Sequence, residues 1–177
     1  MKYVALLRGI NVGGNNKVSM ADLKLVFEET GMGNVSTYIN SGNVIFESEE
    51  KDRHRLIASL ERAIEKRFGF AVKVLVRSRE DMLRIAAKLP DSWVNDTTMK
   101  CDAMFLWEEA DTPDILKQIV IKPEIDQVIY EPGVLLWAVD RGLVTRSGLM
   151  RIAGMPLYKQ MTIRNCNTLR KLAALMS

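Results

Sequence analysis

Apolar positions along this chain recur with two periods, and their alternation spells out most of its elements. Tyr3 to Leu7 is a short apolar run with the pattern of a strand, ending where Arg8 and Gly9 open a loop rich in Asn and Gly that lasts to Lys17. Met20, Leu23 and Phe27 follow at helical spacing, with Ser19 and Asp22 placed as a capping pair and Gly31 as the stop. Val35 to Ile39 and Val44 to Phe46 read as strands joined by a turn of Asn40, Ser41, Gly42 and Asn43, residues that tolerate tight backbone. Ile57, Leu60, Ile64 and Phe68 form one face of a longer helix closed by Gly69, and Val72 to Val76 reads as another strand. The order is β-α-β-β-α-β, the ferredoxin-like or split βαβ arrangement.

That order predicts where the loops meet. A right-handed crossover sets the third strand antiparallel between the first and second. The loop Gly9 to Lys17 and the turn Asn40 to Asn43 then leave the sheet at one edge, where the N-terminus of the first helix also opens with its free N–H groups. They should be neighbours.

Downstream, Ser78 caps a helix running through Lys88, and Leu89 to Lys100 reads as a connection. Asp102 to Trp107 is strand-like, Thr112 and Pro113 start a helix, and strand runs at Gln127 to Tyr130 and Val134 to Val139 flank a Pro132-Gly133 turn. A last helix near Asn167 to Met176 carries Leu169, Leu172 and Met176 on one face. The expected fold is α+β, with a ferredoxin-like βαββαβ N-terminal half at 1–78 and a helix and connection at 79–99. A second, decorated βαββ-plus-helix half with a basic C-terminal helix is expected at 100–177.

Composition narrows the class. The 177 residues are 47% hydrophobic and 27% charged, the mixture of a chain that folds. No run approaches the ~20 apolar residues of a membrane span, and the N-terminal apolar stretch is broken at Arg8, so a cytoplasmic protein without a membrane partner is expected. Cys101 and Cys166 are far apart and outside any paired motif, which predicts two separate thiols in a reducing compartment. The single histidine, His54, lies in a charged run opening a helix, so neither a zinc site nor a Ser-His-Asp triad has material, and no metal or cofactor is expected.

The net charge of +3 conceals segregation: residues 89–140 hold three basic against eleven acidic side chains, and residues 141–177 hold seven basic and no acidic ones. The bland reading is neutralisation of one segment by the other; the sharper one is an anion-facing surface. Candidate chemistry lies in the first loop. Gly13, Gly14 and Asn15 stand between a strand and a helix, bracketed by Arg8 and Lys17, in the context where backbone N–H groups cradle phosphate, although neither a Walker A motif nor GxGxxG is present. Asn11 belongs to the same loop, and the neighbouring turn adds Tyr38, Asn40, Ser41 and Asn43. Thr162, Arg164, Asn165 and Thr168, read as the first turn of the C-terminal helix, offer a further dipole-assisted anion site if they pack over the same edge.

Three blocks, ALLRGINVGG at Ala5 to Gly14, YINSGNVIF at Tyr38 to Phe46 and TIRNCNTLRKL at Thr162 to Leu172, resemble the signature blocks of the bacterial domain of unknown function 1697 family. The resemblance spans the chain and implies no established activity. Its blocks fall on the residues just named, with Gly42 added.

Hydrogen bonds to charged groups contribute about 1.5 to 3 kcal/mol each, so three donors to a phosphate supply about 4.5 to 9, against an association cost of about 4 to 15. The loop alone would hold free phosphate weakly; a nucleotide or phosphorylated metabolite, with further contact or closure by the Arg164 segment, fits better. The sequence therefore points to a binding module for a phosphate-bearing small molecule. A phosphohydrolase-like enzyme on the same ligands, an RNA-binding protein and a structural or interaction protein are the alternatives. By fold analogy alone, Arg8 with Asn40 is reminiscent of the Arg and Asn of acylphosphatases. RNA binding is the less favoured partner, because Ser41 to Phe46 lacks the aromatic pair on which RRM strands stack bases.

Overall fold

The computed structural model describes residues 1–177 and divides into two compact units, Met1–Met82 with Leu175–Ser177, and Leu83–Ala174. In the first unit, β1 (Lys2–Leu7), α1 (Met20–Glu29), β2 (Gly33–Tyr38), β3 (Asn43–Glu47), α2 (Arg53–Phe68) and β4 (Val74–Ser78) follow the order read from the pattern. The sheet order is β2-β3-β1-β4, antiparallel throughout, with β3 between β1 and β2 as the crossover argument requires. Alternation explains the layer: Tyr3, Ala5 and Leu7 of β1 share a core with Val44, Phe46, Val74 and Val76. Leu23 and Phe27 of α1 and Leu56, Leu60 and Ile64 of α2 complete it. Both helices start on side-chain caps, Asp22 N–H donating to Ser19 Oγ at 3.3 Å, and His54 and Arg55 N–H donating to Asp52 Oδ1.

α3 (Arg79–Lys88) opens on Ser78, whose hydroxyl accepts from Asp81 N–H, and the boundary between the units falls within it. The second unit continues with β5 (Met99–Leu106), α4 (Ile115–Gln118), β6 (Gln127–Glu131) and β7 (Val134–Asp140). Two features correct the sequence reading. First, Met161–Asn165 is a strand, β8, and only Cys166–Met176 is helical, as α5. Thr162 and Arg164 therefore lie on β8, not in the first turn of a helix. β8 pairs antiparallel with β5 and completes a sheet ordered β6-β7-β5-β8, the second-unit counterpart of the first sheet. The β-branched Thr162 and Ile163 suit an extended ladder, and the pairing with β5 satisfies backbone groups that a helical turn would otherwise have claimed.

Second, Cys101 and Cys166 form a disulfide, with Cα atoms 5.5 Å apart and both residues fully buried. Asp102 pairs with Asn165, so one step along the antiparallel register sets Cys101 opposite Cys166. Sequence spacing held no sign of this, because the register exists only once β8 is recognised. Residues 141–160, to which the pattern assigns no element, form three successive 3₁₀ segments, Arg141–Arg146, Gly148–Gly154 and Pro156–Gln160, which carry no regular apolar period. Leu149, Ile152 and Leu157 from this stretch pack on Met104, Leu106, Leu135, Trp137 and Met161 to form the second core.

A buried carboxylate anchors that covering stretch. Asp126 is only 4% exposed and accepts from Ser147 Oγ, Gly148 N–H at 3.0 Å and Lys122 N–H at 2.9 Å. Burial pushes its pKa up, but the Ser147 hydroxyl and the two backbone donors outweigh it and hold the group below its ordinary value of 3.8. A depressed folded-state pKa contributes stability that is present above the unfolded value and disappears as pH falls through the folded one. Asp126→Asn should accordingly cost about 1 to 3 kcal/mol at neutral pH. In urea titrations repeated across pH, the variant should lose less stability than the parent on acidification below about 4. Parallel acid limbs in the two proteins would contradict this.

Candidate functional site

The two polar loops of the first unit meet as the strand order required. Asn11 is the clamp: its Nδ2 donates to Asn40 O at 2.8 Å and to Val18 O at 3.0 Å, while its Oδ1 accepts from Val18 N–H at 2.8 Å. Leu7 N–H donates to Gly42 O at 2.9 Å across the same edge. Gly42 is needed there, with φ +82 and a position where a Cβ would lie 2.7 Å from Ile10 Cδ1 and 2.9 Å from Leu7 Cβ.

The remaining asparagines also serve backbone. Asn16 Nδ2 donates to Gly9 O, and Asn43, fully buried, donates to Tyr38 O and Ser41 Oγ. Gly13 and Gly14 are the central residues of a tight turn closed by Asn15 N–H on Val12 O at 3.1 Å, both at positive φ as a type I′ turn demands. Both glycines are exposed, and neither N–H donates to an acceptor in the protein. Gly13, Gly14, Asn15, Lys17 and Asn40 are exposed, and Arg8, Tyr38 and Ser41 are partly exposed. Two apolar side chains also stand out at this rim, Val12 at 66% and Ile39 at 48% exposure. Ile39 holds φ 50, a left-handed conformation that is strained for a β-branched residue.

The third group of expected residues behaves differently. Arg164 belongs to the second unit and is 7% exposed; one guanidinium nitrogen donates to Thr162 Oγ1 at 3.0 Å and Ile163 O at 2.9 Å, and burial pushes its pKa down to about 10. Thr168 is buried and its N–H donates to Asn165 Oδ1 at 2.9 Å, which makes Asn165 the cap of α5. A solvent-facing anion site at a helix start built from Arg164 and Thr168 is therefore absent, because both are interior residues of the second unit.

Sequence reasoning missed a second concavity. A cavity of about 550 Å³ lies wholly within the second unit, between its sheet and the 3₁₀ stretch, lined by Lys100, Asp102, Met104, Trp137, Arg141, Tyr158, Ile163 and Asn165 among others. The signal was present in KCDAMFL, where Lys100 and Asp102 sit at alternate positions of an otherwise apolar strand. The cover over them had no pattern to read. No group of three or more His, Cys, Asp or Glu side chains is arranged to hold a metal ion, and no helix is long and apolar enough to cross a membrane.

Comparison with known proteins joins these observations to a family. The protein family of unknown function DUF1697 matches residues 1–137, which include the clamped loops and the cavity residues Lys100, Asp102 and Trp137. The chain belongs to the DUF1697 family. Among solved structures, this DUF1697 chain is similar to the conserved bacterial protein SP0830 from Streptococcus pneumoniae. The two are 28% identical with a TM-score of 0.83 over 99% of this chain and 98% of that one. No curated protein matches in sequence. The likeness to this solved structure supports the α+β architecture across both units and leaves the chemistry to be argued from the residues.

Proposed function

We propose that this protein binds a phosphate-bearing small molecule or nucleotide at the edge of the first sheet, whose βαββαβ order we read as ferredoxin-like. The observation that carries the reading is the Asn11 clamp, which fixes the Gly13-Gly14 turn beside the Asn40 turn. The two glycine N–H groups, the Arg8 side chain and the exposed Lys17 then belong to one polar rim. Backbone donors and two cations suit a phosphate. Since three charged hydrogen bonds supply only about 4.5 to 9 kcal/mol, the ligand needs further contact, and the exposed Val12 and Ile39 offer an apolar surface for a base or sugar. They take the place that the Arg164 segment held in the sequence reading.

The test is thermal stabilisation by a panel of nucleotides and sugar phosphates, which for one site follows RT ln(1 + [L]/Kd). The unmutated protein should shift with at least one member, and Arg8→Ala with Lys17→Ala should remove the shift. A flat panel for the unmutated protein would end the reading.

A structural role is the second reading, favoured by the attachment of the Asn11, Asn16 and Asn43 carboxamides to backbone. Asn11→Ala should cost about 1 kcal/mol or somewhat more on either reading, because it leaves the N–H and carbonyl of buried Val18 without their partner. Only ligand-induced stabilisation separates the two.

A further inference from the structure

We infer that the cavity of the second unit is a binding site for a small organic acid with an apolar body and a hydrogen-bond donor beside its carboxylate, the chemistry of an apolar α-amino or α-hydroxy acid. The floor is set by strand register. Asp102 of β5 pairs with Trp137 of β7 on one side and Asn165 of β8 on the other, so these three side chains form one row across the sheet. The next row on the same face is Leu135, Met104 and Ile163, which is apolar. A polar row therefore adjoins an apolar one under the same cover.

The polar row is chemically unusual for a sheet face. Asp102 is 7% exposed and its carboxylate is held at 2.9 Å by Nζ of the partly exposed Lys100, so a largely desolvated carboxylate is kept on this face by a cation that still reaches solvent. Lys100 Nζ also lies 5.9 Å from the centre of the Trp137 ring.

Bonding capacity remains after the internal contacts are counted. Asp102 Oδ2 meets Lys100, and Oδ1 accepts nothing from the protein. Asn165 accepts the Thr168 N–H through Oδ1, which fixes the amide so that Nδ2 is a donor with no acceptor. Arg141 is held by Nε on Asp96 O at 2.9 Å and Nη2 on Asn95 Oδ1 at 3.0 Å, leaving Nη1 without an acceptor. Asp102, Asn165 and the exposed Arg141 all line a cavity whose walls also include Met104, Leu149, Ile152, Ile163 and Trp137, whose buried Nε1 N–H has no hydrogen-bond acceptor.

Charge selects the ligand. Lys100 and Asp102 neutralise each other, and Arg141, whose charge is partly offset by the exposed Asp96 carboxylate, supplies the cation that matches one carboxylate. The free Asp102 oxygen calls for a donor next to that carboxylate, an ammonium or a hydroxyl. The cavity volume of about 550 Å³ falls within the range of about 300 to 1,000 Å³ usual for small-molecule sites. At the mouth, Met150 and Tyr158 are 51% and 37% exposed and give the apolar body a rim to cross.

The experiment uses the full chain and four probes: L-leucine, L-phenylalanine, phenyllactate and phenylacetate, each titrated to millimolar concentration while indole N–H resonances are followed by NMR. The Trp137 resonance, assigned with Trp137→Phe, should move with the two amino acids and phenyllactate and less with phenylacetate, which lacks the donor. Arg141→Gln should weaken binding about tenfold or more for every probe that binds. Asp102→Asn should narrow the difference between phenyllactate and phenylacetate. A Trp137 resonance that no probe moves, or equal binding to parent and Arg141→Gln, would overturn the proposal. Arg8 and Lys17 lie outside this cavity, so their variants should leave probe binding unchanged, which keeps failure here separate from failure of the phosphate site.

Discussion

Reducing the Cys101–Cys166 bond should destabilise the protein by about 4 kcal/mol, the chain-entropy estimate for a cross-link that spans 65 residues. The bond constrains the unfolded chain between β5 and the start of α5, and that span contains β6, β7 and the whole 3₁₀ cover. Both sulfur-bearing residues are fully buried, so reductant should act slowly on the folded protein and quickly in denaturant. The measurement is a pair of urea titrations, with and without dithiothreitol equilibrated under denaturing conditions, together with a thiol count. Zero reactive thiols before reduction and two after, with the transition moved to lower urea, is the expected outcome. Two thiols found in the protein without reductant, or coincident transitions, would show that the bond contributes nothing. Cys101→Ser with Cys166→Ser should reproduce the reduced curve.

Gly148→Ala should be comparably damaging, for a steric reason. A Cβ at this position would stand 2.0 Å from Val120 O and 2.7 Å from the Val120 carbonyl carbon, and neither atom is the end of a flexible side chain. Retreat is blocked because Gly148 N–H donates to buried Asp126 and Leu149 N–H to Ser147 Oγ, so moving one strand of backbone breaks the anchor of the other. Overpacking of this kind costs about 1 to 3 kcal/mol in ordinary cores, and a clash against backbone belongs at or above the upper end. Gly154→Ala is the control: it lies in the same 3₁₀ segment, its Cβ would meet nothing within 4 Å, and it should change stability by less than about 0.5 kcal/mol. Equal stability of the two variants in chemical denaturation would refute the argument. Since Leu149, Met150, Ile152 and Ala153 follow Gly148 directly and line the cavity, Gly148→Ala should also weaken probe binding there.

These expectations rest on different kinds of legibility. Periodicity shows most of the first unit: Tyr3 to Leu7 form an apolar run, Leu60 and Ile64 recur at helical spacing, with Ile57 and Phe68 found at the margin of that face and Leu56 in the core instead, and the split βαβ order then sets β3 between β1 and β2. From that order the meeting of the Arg8 loop with the Asn40 turn follows, and the Asn11 side chain bonded to Asn40 O bears it out. Thr162-Ile-Arg164-Asn165 is too short to show a period of its own and reads with Thr168 as the first turn of the helix that follows, whereas the structure places Thr162 and Arg164 on β8 with Arg164 in the interior.

What the sequence determined by itself was local: which stretches extend, which coil, where glycine must turn the chain, and which loops share an edge. What only the tertiary structure decided was pairing between distant stretches. The opposition of Cys101 and Cys166, the row of Trp137, Asp102 and Asn165, and the anchoring of Gly148 by Asp126 all depend on register between strands and on a cover of 3₁₀ turns that has no regular period. Periodicity reports how a segment faces its own core, whereas register and cover arise from contacts between segments far apart in the chain, and a single sequence carries no local record of those.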